Sequence, residues 1–92
     1  MTVWKTNDWS VNLEDEDYAN EPERLLDEAV AAVAQTAPGY FVNLVTPGGC
    51  GDPRDWLIAE LEQRLKGQSI HFAEIRFIDE CGCGGFVTRV YR

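Results

Sequence analysis

Lysine, histidine and methionine are almost missing from this chain of 92 residues: it has Lys5 and Lys66, the single His71, and Met1. Bases are scarce altogether, 8 against 16 acids, for a net charge of −8. That deficit disfavours binding to nucleic acid or anionic membrane, because phosphate contact needs a basic footprint. No apolar run is long enough to span a bilayer. The N-terminus, Met1-Thr2-Val3-Trp4-Lys5, lacks the apolar stretch of a secretory signal. Cysteine occurs three times, and an odd count argues against a secreted disulfide scaffold. A cytoplasmic location is expected, with neither nucleic acid nor membrane as partner. His71 reads as a surface or sheet histidine, since no serine or cysteine stands beside it in a catalytic pattern.

The acids present are unevenly placed. Residues 1–40 hold nine acids and two bases, and residues 41–92 hold seven and six. The run Glu14-Asp15-Glu16-Asp17 reads as a solvated face and lacks the spacing of a calcium loop. An acidic, lysine-poor surface suits a high-salt cytoplasm, where salt screens the repulsion that keeps the protein soluble. An ordinary acidic bacterial domain would show the same composition.

Periodicity divides the chain into six elements. Trp9, Val11 and Leu13 alternate with polar residues and predict a first strand. Asn20, Pro22 and Glu23 have the pattern of a helix start, Leu25, Leu26, Ala29, Val30 and Val33 form its buried stripe, and Pro38-Gly39 ends it. The apolar run Tyr40 to Val45 predicts a central strand covered on both faces. Asp52 is placed to cap a second helix, with Pro53 first and Leu57, Leu61 and Leu65 one turn apart up to a stop at Gly67. Ile70 to Ile78 and Phe86 to Tyr91 read as strands joined by a short glycine-containing turn. The expected fold is a small two-layer α/β sandwich, β-α-β-α-β-β, with a four-stranded mixed sheet and a C-terminal β-hairpin. It forms one domain over residues 1–92, with residues 1–8 a loosely ordered leading segment. Trp4, Trp9 and Trp56 read as core or edge packing.

The cysteines stand apart from this core. Cys81 and Cys83 lie in Cys81-Gly82-Cys83-Gly84-Gly85, and Cys50 lies in Pro47-Gly48-Gly49-Cys50-Gly51. A cysteine kept for packing sits among apolar neighbours. Here Gly48, Gly49, Gly51, Gly82, Gly84 and Gly85 form loops that admit unusual backbone and close approach. If the second and third strands are parallel, both loops follow carboxyl ends of strands and meet at one sheet edge. A thioredoxin-like arrangement has the same element order but an antiparallel third strand, and would separate them.

Three chemistries fit such thiols. Cys50, Cys81 and Cys83 could ligate zinc or another soft metal, with Asp52, Asp79, Glu80 or water as a fourth ligand. A thiol-disulfide oxidoreductase could use Cys50, activated by the helix that follows it. Cys81 and Cys83 could be covalently modified by an enzyme. The bland alternatives are three unreactive turn cysteines, or an interaction module whose thiols are incidental. No acid–base pair, nucleophile–histidine couple or phosphate loop can be assembled, so catalysis by the chain alone is not expected.

Three segments carry a family resemblance: Trp9-Ser10-Val11-Asn12-Leu13-Glu14, Gly39-Tyr40-Phe41-Val42-Asn43-Leu44-Val45, and Cys81 through Val90. Across residues 9–92 the chain resembles the CGCGG family, small proteins mainly of haloarchaea. That family is labelled as peptide-type substrates of radical-SAM modifying enzymes. The resemblance implies such an enzyme as partner, Cys81 and Cys83 as modification sites, and a high-salt cytoplasm. Where the family often carries histidines, this chain has Cys50 and Phe86, which leaves no histidine there to assist a metal site. Peptide substrates are commonly short and disordered, whereas the mutually consistent caps, stripes and stops here mark a folded domain.

Overall fold

The computed structural model describes residues 4–13, 21–80 and 85–92, with the backbone alone at Cys50. Its elements are β1 (Trp9–Asn12), α1 (Pro22–Gln35), β2 (Phe41–Thr46), a 3-10 turn (Gly48–Cys50), α2 (Leu57–Gly67), β3 (Glu74–Glu80) and β4 (Phe86–Tyr91). The order is the expected β-α-β-α-β-β. The sheet runs β1-β2-β4-β3. β1 is parallel to β2, and β4 is antiparallel to both β2 and β3. β2 and β3 are therefore parallel to each other, with β4 between them.

Both crossovers advance the same way across the sheet, from β1 to β2 and from β2 to β3. Right-handed connections then put both helices on one face. A single core follows, joining Leu25, Leu26, Ala29 and Val33 of α1, Leu57, Leu61 and Leu65 of α2, and Val42, Leu44 and Val90 of the sheet. This corrects the expectation that the second strand is covered twice. β2 alternates: Val42, Leu44 and Thr46 are buried, whereas Phe41, Asn43 and Val45 are only half-buried. Two helices suffice for one face. On the other, the Arg89 guanidinium lies 4.0 Å from the Phe41 ring centre and donates from Nε to Asn43 Oδ1 at 2.8 Å. That cross-strand stacking explains an apolar run on a face that no helix covers among the described residues.

Helix ends differ from the sequence signals. Asn20 lies outside the described residues. The residue before α1 is Glu21, whose side chain makes no capping bond, and Pro22 opens the helix. Glu23, placed for a capping box, instead pairs with Arg64 of α2. α1 ends at Gln35, three residues before Pro38-Gly39. Thr36, buried there, accepts from Trp9 Nε1 at 2.8 Å and donates to the Ala32 carbonyl at 3.0 Å, tying β1 to the helix end. The Lys5 main chain bonds to Gln35 and Ala37, so the described part of the leading segment attaches at the same point.

Gly67 does not end α2 by a left-handed turn, because Ser69 takes that role at φ 58°. Ile70 N donates to the Leu65 carbonyl at 2.9 Å and Ser69 N to Lys66 at 3.2 Å, the bond pair that closes a helix through a left-handed residue. Ile70 then packs on the core. Left-handed backbone strains a side-chain-bearing residue by about 1–2 kcal/mol. Glycine loses about 0.5–1 kcal/mol in folding entropy by comparison. Ser69→Gly is therefore expected to raise the urea midpoint, by up to about 1 kcal/mol of unfolding free energy. A lower midpoint would show that the serine side chain contributes more than the strain removes.

Candidate functional site

The register of three strands decides which loops meet. Thr46, at the end of β2, pairs with Phe86, and Phe86 pairs with Glu80, at the end of β3. The turn carrying Cys50 begins two residues after Thr46. The chain leaves β3 at Glu80 and returns at Gly85. Residues 81–84, with Cys81 and Cys83, lie outside the described residues, as does the Cys50 side chain. Backbone topology thus brings the flanks of both cysteine segments to one edge of the sheet. The thioredoxin-like alternative does not match, because it needs the third strand antiparallel to the second.

The Cys50 turn is shaped by local geometry. Gly51 N donates to the Gly48 carbonyl at 3.1 Å, and Gly51 has φ 85°. A Cβ there would lie 4.0 Å from Trp56 Nε1, an ordinary contact, so the backbone angle demands glycine rather than space. Gly48 and Gly49 have no such angle. Trp56 Nε1 is buried without a hydrogen-bond partner among the described residues.

Asp52 does not cap α2. Residues 53–56 form a turn, and the helix starts at Leu57. Asp52 instead accepts from Arg54: the backbone N–H at 2.9 Å, Nε at 3.0 Å and a terminal guanidinium nitrogen at 2.6 Å. These hydrogen bonds hold the Asp52 carboxyl below its usual range and push Arg54 up. The Arg54 guanidinium sits 4.2 Å from the centre of the Phe77 ring on β3, and Phe77 lies against Phe86 at 6.1 Å. The charges of Asp55 and Glu80 also favour the Arg54 cation, which places Glu80, the residue before Cys81, within its electrostatic reach.

Two of the expected fourth ligands are already engaged. Arg54 occupies Asp52, and Asp79 Oδ1 accepts from the Glu80 N–H at 2.7 Å. Among the described residues no group of three His, Cys, Asp or Glu side chains could hold a metal. His71 is exposed, and its carbonyl accepts from Arg92 Nε at 2.9 Å. It lines an open cleft of about 500 Å³ with Lys66, Ser69 and Phe72, where α2 ends and β3 has not yet begun. Arg54 and Phe77 were not visible as site residues in the sequence. Their contact spans 23 positions and follows no local spacing.

Comparison with known proteins assigns a family to this frame. The family model described as "Putative radical SAM target protein" matches residues 1–92. The chain belongs to that family. No curated protein and no solved structure matches it. Among the described residues no helix is long and apolar enough to cross a membrane.

Proposed function

We propose that this chain is a folded substrate of a radical-SAM modifying enzyme, altered at Cys81 and Cys83, with Cys50 as a third thiol at the same sheet edge. The observation that carries this reading is the family match over all 92 residues. The strand register supports it, because Phe86 bridges the strand ends that flank both cysteine segments. The chain acts as substrate and not as catalyst. Its setting is a reducing, salt-rich cytoplasm of the kind the CGCGG resemblance implies, where thiols stay available for modification.

Thioether formation fits a thiol between glycines. The enzyme's radical removes a hydrogen atom from a carbon, the thiol gives up its proton, and a sulfur–carbon bond forms. The remaining electron passes to the enzyme's own iron–sulfur cluster. Glycine-rich flanks lower the steric barrier to entry into an enzyme cleft. Before modification the three thiolates would repel one another unless a proton or a soft cation relieved the charge. Transient zinc binding is therefore compatible with the same loops.

Purified modifying enzyme, incubated with S-adenosylmethionine, reductant and this protein, provides the test. Wild type is expected to lose the mass of a hydrogen pair and one alkylatable thiol per crosslink. Cys81→Ser and Cys83→Ser are each expected to lose the crosslink at that position. Full conversion of the Cys81→Ser, Cys83→Ser double variant would refute the assignment.

A further inference from the structure

We infer that Arg54 is a positioning residue: it straps the loop after β2 to the base of the β3–β4 hairpin, and this strap sets how readily Cys50 crosslinks with a hairpin cysteine. The inference rests on the cysteine assignment above for its probe, and its structural grounds are independent of that assignment. Arg54 follows Cys50 by four residues and belongs to the loop. Its guanidinium is fixed on two sides. Asp52 grips two of its nitrogens, and the ring of Phe77 on β3 lies 4.2 Å away. Phe77 in turn meets Phe86, the first residue of β4. The loop is thereby joined by side chains to both strands of the hairpin, beyond the main-chain pairing of Thr46 with Phe86.

The two halves of this contact need different properties of arginine. The carboxylate is held by a planar fork, and the ring is covered by a flat, weakly hydrated cation. Lysine keeps the charge and lacks both shapes. A role in positioning therefore predicts that lysine will not substitute, whereas a merely electrostatic effect on the thiols predicts that it will. Arg76 on the same strand is the control. It pairs with Glu74 at 3.1 Å on its own strand.

Thiol exchange with glutathione disulfide reads the strap directly. One protein thiolate attacks glutathione disulfide and releases a glutathione thiolate. The second protein thiolate then attacks the mixed disulfide and releases another. Two protein thiols are oxidised as one glutathione disulfide is reduced to two glutathiones. The equilibrium gives the effective concentration of one protein thiol at the other. The full chain is used in Cys83→Ser and, separately, Cys81→Ser backgrounds, so that Cys50 has a single partner. Arg54→Ala is expected to lower the effective concentration by roughly 3- to 5-fold, the scale of one exposed cation–π contact. Arg54→Lys should fall nearly as far, and Arg76→Ala should stay within about twofold of its parent. Urea midpoints of the same proteins show that the fold persists, as expected for an arginine side chain 58% exposed.

Three results would overturn the inference. One is an Arg54→Ala value within about twofold of its parent. Another is full rescue by lysine. The third is failure of Cys50 to pair with either hairpin cysteine. No modifying enzyme takes part in the experiment. The strap can thus fail while enzymatic modification succeeds, and a normal strap with no enzymatic modification would count only against the proposed function.

Discussion

Leu44→Ala is expected to destabilise the fold by about 2–5 kcal/mol, while Val45→Ala, one residue along the same strand, costs roughly 1 kcal/mol or less. Leu44 is completely buried and faces both helices, within the same cluster as Leu57, Leu61 and Leu65. Truncation removes apolar burial and leaves a cavity that packed leucines cannot fill without moving. Val45 points to the opposite face, where no helix among the described residues covers it and it is only half-buried. A small domain has about 5–15 kcal/mol of stability in total, so the first change consumes a large part of it. At about 4–8 °C per kcal/mol the two variants should separate clearly in thermal melts as well as in urea. Equal and large losses would mean that β2 is covered on both faces, as the unbroken apolar run from Tyr40 to Val45 suggests by itself.

The second large effect concerns what the modifying enzyme recognises. Conversion of the full chain is expected to be at least about 10-fold faster than conversion of a peptide spanning residues 74–91, because an isolated hairpin is marginal in water. In the protein, β4 is a central strand, paired with β2 from Phe41 to Thr46 as well as with β3. Cutting the hairpin out removes half of the pairing of β4, the Cys50 turn and the Arg54 contact with Phe77. Rates measured with one enzyme preparation check this. Equal rates would place recognition in the local sequence around Cys81 and Cys83 and make the rest of the domain irrelevant to it.

Much of the architecture could be read from side-chain pattern. Phe86 to Tyr91 is a strand with the bounds its alternation implies, and Leu57, Leu61 and Leu65 all reach the core. What pattern could not supply was adjacency. A period of two assigns faces to a strand and says nothing of its neighbours. The insertion of β4 between β2 and β3 therefore had no local signature, although that insertion makes the two cysteine-flanking ends share an edge. Helix termini misled for a related reason. Asp52 has the chemistry of a cap, yet Arg54 claims its carboxylate and the helix begins a turn later. Gly67 is the obvious left-handed residue, yet Ser69 accepts that conformation because Ile70 gains core packing beyond it. In the site itself, the glycine turn at Gly48–Cys50 was legible, whereas Cys81 and Cys83 lie outside the described residues. The Arg54–Phe77 bridge was not legible, since it joins residues whose proximity arises only from the completed sheet.

Whether a folded domain is the substrate, with its chemistry on Cys81 and Cys83, is decided by the mass of the protein purified from its native host. Reduction followed by alkylation and fragmentation should show Cys81 or Cys83 refractory to alkylation. The parent mass should be lower by a hydrogen pair for each thioether, and reductant should not restore it. Two results would contradict the account: the unmodified mass with Cys50, Cys81 and Cys83 all alkylated, or a hydrogen loss that reductant reverses, which would be a disulfide.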